Sequence, residues 1–217
     1  MESIRNQWIS LSVSDGTTLS AYVSRPEDAE PHPGILIFQE AFGVNEYIRN
    51  VTDRFAREGY LAIAPELFHR TAPGFQGKYT AFEEVRPHLQ ALTNSNLEAD
   101  IRASDEFLRN ERTVQKGKIF SIGFCMGGRV SFLANSILPL RAAISYYGGG
   151  IAPGAAGPGL LDRAADLHAP MLFYWGGLDK HISSEDIRAV TESLRRAHRE
   201  FVNVEFSMAD HGFFCNV

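Results

Sequence analysis

The sequence predicts an α/β fold built on a mostly parallel sheet of about eight strands, with an antiparallel hairpin at its N-terminal end and helices on both faces. Three observations carry this expectation. Short, continuous apolar runs recur along the chain, as strands buried on both faces of a parallel sheet require. Stretches with apolar residues at helical spacing fall between them. Residues 8 to 24 instead alternate polar and apolar side chains, the pattern of strands with one wet face.

The elements follow in order. Ile9, Leu11 and Val13 alternate with polar partners, Asp15-Gly16 supplies the turn, and Leu19, Ala21 and Val23 resume the alternation. Gly34 to Phe38 opens the series of buried runs, which continues at Leu61–Ala64, Ile119–Phe124, Ala142–Tyr147, Met171–Trp175 and Val202–Phe206. Tyr47, Ile48, Val51 and Phe55 mark a helix. Leu97, Ile101, Leu108 and, less regularly, Phe107 mark another behind Asn94 and Ser95, and Ile187, Val190 and Leu194 a third behind the capping pair Ser183-Ser184. Alternation of strand and helix calls for right-handed parallel crossovers. Pro65 to Tyr79 has no periodicity and reads as a long loop. Gly148 to Gly159, rich in glycine with Pro153 and Pro158, reads as a mobile connector.

Composition narrows the class of function. The 217 residues suit one domain spanning 1–217, long enough to fold without a disulfide or metal. The net charge is −5 and the basic residues are scattered, so no nucleic-acid partner is expected. No run of about 18 apolar residues offers a membrane span, and residues 1–14 lack the apolar core of a signal peptide, so a cytoplasmic protein is expected. In that compartment Cys125 and Cys215 are expected to stay unpaired. No H-x-x-x-H or C-x-x-C spacing suggests a metal, and no cofactor is implied.

The sharpest motif is Gly123-Phe124-Cys125-Met126-Gly127-Gly128, between a buried strand and a helical pattern over Val130 to Leu138. This is the nucleophile elbow of an α/β-hydrolase with cysteine where serine is usual. Small neighbours at positions 123 and 127 let the turn close tightly. The helix beginning near Met126 points its free N–H groups and positive end at the sulfur, which favours a thiolate and a developing oxyanion. The fold orders its catalytic groups as nucleophile, acid, histidine. Asp179 follows the run Met171–Trp175 and His211 follows Val202–Phe206, so both are expected at the carboxyl edge of the sheet. His211 is read as the base and Asp179 as the group that fixes its tautomer, with His181 as the competing histidine. The loop after Phe38 is where this fold recruits its second oxyanion donor, so the backbone N–H groups of Met126 and Ala41 are the candidates. Glu40 is a carboxylate in an apolar setting, which requires a partner. Phe42, Tyr146 and Tyr147 are candidates for an aromatic pocket wall.

Read together, Gln-Glu-Ala-Phe-Gly-Val-Asn (39–45), Ala-Pro-Glu-Leu-Phe (64–68), the elbow (123–128), Tyr-Tyr-Gly (146–148), Gly-Gly-Leu-Asp (176–179) and His-Gly-Phe (211–213) resemble the dienelactone hydrolase family, the carboxymethylenebutenolidases. The resemblance implies a Cys125–His211–Asp179 triad and a Glu40 that contacts the thiol and takes part in its activation when substrate binds; because a carboxylate beside sulfur disfavours the thiolate, Glu40 is expected to keep Cys125 protonated until substrate displaces it. It implies a small ester or lactone as the partner, cleaved through an acyl-enzyme by a monomer or homodimer. Two features depart from the family pattern. Cys215 stands four residues after His211, where the best-known members carry an arginine for the substrate carboxylate, leaving Arg86 or Arg70 as the candidate cation. The chain also ends six residues after His211, where the family usually continues into a helix. A glutamine-amidotransferase-like thiol enzyme and a non-catalytic binding or sensing module are the alternatives. The first is weakened because Gly212 and Phe213 follow His211 in place of a His-x-Glu pair.

Overall fold

A computed structural model describes residues 3–154 and 157–215, which form two compact units, Met1–Phe120 and Ser121–Val217. Eight strands belong to the sheet, with β5 (Val114–Phe124) running through the boundary between the units.

In the first unit, β1 (Ile4–Ser12) and β2 (Thr18–Pro26) form the expected antiparallel hairpin, in register from Ser12 opposite Thr18 to Ile4 opposite Pro26. Gly16 takes φ +86°, and Asp15 Oδ1 accepts the Thr17 N–H at 3.0 Å, so the turn residues do the work the sequence assigned to them. β2 continues antiparallel onto β4 (Leu61–Pro65), which runs parallel to β3 (His32–Phe38). β5 follows β3 in the strand order. The runs 35–38 and 61–64 are fully buried.

Helix α1 (Glu46–Arg57) links β3 to β4. Asn45 caps it by accepting the Ile48 N–H at 3.1 Å, and Ile48, Val51, Thr52 and Ala56 form its buried face. Tyr47 and Phe55, expected on that face, are only half-buried, and Phe55 instead packs against Tyr60. Helix α2 (Phe82–Ala91) has no counterpart in the sequence reading. It buries only Val85 and contains Pro87, so it has no apolar stripe to read. Helix α3 (Asn94–Asn110) is capped by Thr93 one residue earlier than expected, and Leu97, Ile101 and Leu108 are buried as expected.

Asp100 is the polar intruder on that buried face. Its carboxylate takes His69 Nε2 at 3.1 Å and both terminal nitrogens of Arg70 at 2.8 Å, and Arg70 also reaches Asp15 in the hairpin turn. Arg70, one of the two arginines considered for a substrate carboxylate, is thus committed to holding α3, the hairpin and the 65–79 segment together. That segment is ordered by further buried polar groups. Gln39 Oε1 accepts the Leu67 N–H at 3.0 Å, and the buried Glu66 carboxylate takes the Gly74 N–H. Burial raises the Glu66 pKa, and neither that hydrogen bond nor the charge of His69 cancels the rise.

In the second unit, the end of β5 leads into α4 (Met126–Ile137). Then come β6 (Ala142–Tyr146), a 3₁₀ turn at Leu161–Asp166, β7 (Met171–Gly176), α5 (Ser184–Arg196) and β8 (Phe201–Phe206). β6, β7 and β8 are parallel neighbours. Ser183 caps α5 in a reciprocal capping box with Asp186, as the serine pair suggested. The Trp175 indole donates to Asn203, and Asn203 donates to Thr191, which ties β7, β8 and α5 together. The glycine-rich connector is partly anchored, with Ile151 and Leu160 buried and the Leu160 N–H on the Ile151 carbonyl. Its residues 155 and 156 lie outside the described residues. Among the described residues no helix is long and apolar enough to cross a membrane.

Replacing Asp100 with Ala strips a half-buried arginine and a buried histidine of their acceptor. Urea unfolding is expected to register a loss of about 3–5 kcal/mol. A loss below about 1 kcal/mol, the scale of an exposed pair, would contradict this account of the network.

Candidate active site

Cys125 sits between β5 and α4 with φ +54° and ψ −121°, a left-handed backbone that residues with a side chain avoid. Its surroundings fix that conformation. The Cys125 N–H is taken by the Tyr146 carbonyl at 3.0 Å, and its own carbonyl accepts the Gly128 N–H at 2.9 Å. A Cβ at position 123 would strike the Gly127 carbonyl, and one at 128 would come within 2.7 Å of Gly148 Cα and 2.6 Å of Ser145 Oγ. The glycines therefore let the turn close and let α4 lie against the end of β6. Met126 is the first residue of α4, where an N–H has no acceptor inside the helix.

Asp179 and His211 follow β7 and β8 and meet beside this turn. His211 Nδ1 lies 2.7 Å from Asp179 Oδ2. An ionised carboxylate only accepts, so Nδ1 carries the proton. The other carboxylate oxygen, Oδ1, takes the His181 N–H at 2.7 Å and the Ile182 N–H at 3.3 Å. The Asp179 side chain is only 1% exposed. Burial opposes its charge, but the hydrogen bonds from His211, His181 and Ile182 and the charge of the imidazolium prevail and hold its pKa below the usual value.

The side chain of Cys125 is the second hydrogen-bonding and electrostatic partner of the His211 ring. Burial pulls the imidazole pKa down. The hydrogen bonds to Asp179 and Cys125 and the negative charge of both outweigh this and raise it to about 10. The imidazole therefore stays protonated across the neutral range. Two rings contact the imidazole: Tyr147, fully buried, at 5.1 Å, and His181, exposed, at 5.0 Å in an edge-to-face arrangement. Beyond them Tyr146, Phe213, Phe214, Tyr174 and Phe124 form a continuous aromatic cluster, with Tyr146 stacked on Tyr174 at 4.4 Å.

Thus Cys125, Met126, Tyr146, Asp179 and His211 fall in one unit. Glu40, Ala41, Phe42 and Arg86 fall in the other. Glu40 is 3% exposed and accepts the Tyr79 hydroxyl at 2.7 Å, so a phenol is among the partners its burial requires. Phe42 packs against that same Tyr79 ring at 4.2 Å with the planes tilted by 39°, and Ala41 is buried just before it. Tyr79 lay in the aperiodic loop and carried no signal in the sequence. Arg86 is exposed on α2 and bonded to Glu83 at 2.9 Å. Arg129, not singled out by the sequence, donates from Nε to the Gly150 carbonyl at 3.1 Å and pins the start of the glycine-rich connector to α4. Burial lowers its pKa. Among the described residues no cluster of potential metal ligands occurs.

A strand, a strained cysteine turn and a helix, with an acid after β7 and a histidine after β8, define a hydrolase of the α/β-hydrolase fold. The chain belongs to the dienelactone hydrolase family, whose model matches residues 19–217. It is 32% identical to a candidate carboxymethylenebutenolidase of Synechocystis sp., over 91% of this chain and 82% of that protein. A protein of the same description from Escherichia coli K12 is also 32% identical, over 92% and 74% of the two chains. The crystal structure of a candidate dienelactone hydrolase from Klebsiella pneumoniae superposes with a TM-score of 0.85 at 32% identity, covering 97% of this chain and 88% of that one. These relatives do not favour an amidotransferase or a non-catalytic module.

The linked charges have a defined pH window. The folded His211 value of about 10 stands above its ordinary 6.5, so its contribution to stability is complete below pH 6.5 and is lost as the pH rises through about 10. The Asp179 contribution is present above 3.8 and is lost as the pH falls through its lowered value. An NMR titration of the His211 ring is expected to give a midpoint near 10, falling toward 6.5 in Asp179→Asn. A wild-type midpoint below about 8 would contradict the ion pair.

Proposed function

We propose that this hydrolase cleaves small, activated esters or lactones through a covalent thioester on Cys125. The reading is carried by one observation: the His211 ring is bonded to the buried Asp179 carboxylate at 2.7 Å and to the side chain of Cys125. The thiolate attacks the carbonyl carbon, and the carbonyl π electrons move onto oxygen. That oxyanion is met by the N–H of Met126 at the head of α4. Collapse expels the alcohol or enol oxygen, which takes its proton from the His211 imidazolium. Neutral His211 then removes a proton from water as the water attacks the thioester. Breaking the C–S bond returns the thiolate, and the imidazolium is restored with it. Asp179 keeps the Nδ1 proton in place throughout, so Nε2 remains the exchanging nitrogen.

A thiolate is a better leaving group than an alkoxide, so a substrate with a stabilised leaving oxygen, an enol or a phenol, favours forward collapse. The family membership supports the same substrate class, since the Synechocystis and Escherichia coli relatives carry the description carboxymethylenebutenolidase. Tyr146, beside the elbow, is read as a pocket wall. Arg86 serves a substrate anion only if it exchanges Glu83 for it.

Mass spectrometry of protein quenched during turnover of aryl acetates and lactones is expected to find the acyl group on Cys125. Cys125→Ala should lose about a thousandfold or more in kcat, and activity within a few-fold of wild type would remove Cys125 from the mechanism. Glu40, in this reading, opposes the thiolate until substrate arrives. Glu40→Gln should then alkylate faster at neutral pH, and an unchanged rate–pH profile would count against that role.

A further inference from the structure

We propose that the side chain of His181 is a positioning residue for His211, an edge-to-face brace that holds the imidazolium on Asp179 and covers it from water. The inference rests on the triad reading above. Three observations point to it. The His181 ring lies 5.0 Å from the His211 ring at an interplanar angle of 75°. The backbone of the same residue donates to Asp179 Oδ1 at 2.7 Å, while His211 occupies Oδ2. The segment is also fixed on its far side, because Ser183 two residues later is locked in the capping box of α5. One residue thus addresses both partners of the Asp179–His211 pair, the carboxylate through its main chain and the imidazole through its ring.

The geometry separates two roles that the sequence left in competition. His181 is exposed, and its ring meets another ring, whereas the Asp179 carboxylate is occupied by His211. That arrangement suits a wall more than a second base. On its buried side the imidazole touches Tyr147, whose own place is fixed by its N–H on the Tyr174 carbonyl at 2.8 Å. His181 supplies the corresponding contact from an exposed position. A ring packed against the imidazole excludes water from the ion pair, which strengthens it.

The test compares His181→Ala and His181→Phe with wild type, reading kcat and KM on an aryl acetate and the NMR titration midpoint of the His211 ring. In His181→Ala, kcat is expected to fall roughly fivefold with KM unchanged within about twofold, and the His211 midpoint to drop by about half a unit or more. In His181→Phe, which keeps a ring but no exchangeable proton, both should return most of the way to wild type. The proposal is overturned if His181→Ala leaves kcat and the midpoint unchanged, or if His181→Phe is as impaired as His181→Ala. Should the alanine variant not fold by near-UV circular dichroism, the phenylalanine variant against His181→Gln decides by the same two readings. The midpoint reports on the brace without turnover. If Cys125→Ala proved active, the triad reading would fail while the brace would still be judged on its own.

Discussion

The carboxylate of Asp179 is closed off from water, and the loops after β7 and β8 are arranged around it. It gathers two main-chain N–H groups on one oxygen and the imidazole of His211 on the other. Burying a lone carboxylate would be very costly, and it is tolerated here because each donor compensates part of that cost. The same donors determine what the site can do. By fixing the proton on Nδ1, the carboxylate leaves the far nitrogen of the ring for sulfur. By its charge, it keeps the ring cationic. Together with the side chain of Cys125, this desolvated group sets the charge of the His211 ring.

The fold was legible in the sequence where apolar periodicity decides burial. The fully buried runs of β3 and β4, the elbow strand and the hairpin turn at Asp15-Gly16 fall where the pattern put them, because a strand buried on both faces leaves no room for polar residues. Helix α3 was also readable, although its buried face includes Asp100. Helix α2 was not. It buries a single side chain and carries a proline, so its residues are free to be polar. Tyr47 and Phe55 of α1 show the complementary error: large aromatic residues can sit at the margin of a face whose center is filled by Thr52 and Ala56.

The candidate site was legible in part for a related reason. Cys125 stands directly after β5, and Asp179 and His211 lie in the short segments just beyond β7 and β8, so local sequence marks them. Tyr79 and Arg129 act through partners distant in sequence. Tyr79 meets Glu40 from 39 residues away, and Arg129 meets Gly150 from 21 residues away. Nothing in the neighbours of either residue announces those contacts. Arg70 is the opposite case, an arginine with an attractive position in the sequence whose donors are absorbed by Asp100 and Asp15.

The left-handed backbone at Cys125 has a consequence for which atom can occupy the elbow. The strain is held by main-chain hydrogen bonds and by glycines at 123 and 128, and none of it depends on sulfur. Serine has the same branching and would fit the turn with its backbone unmoved, whereas a β-branched threonine would crowd a φ of +54°. The architecture is therefore indifferent to the nucleophilic element and selective only about its shape. Oxygen and sulfur are interchangeable passengers on one frame, and an exchange between them would alter reactivity while leaving the backbone of the turn in place.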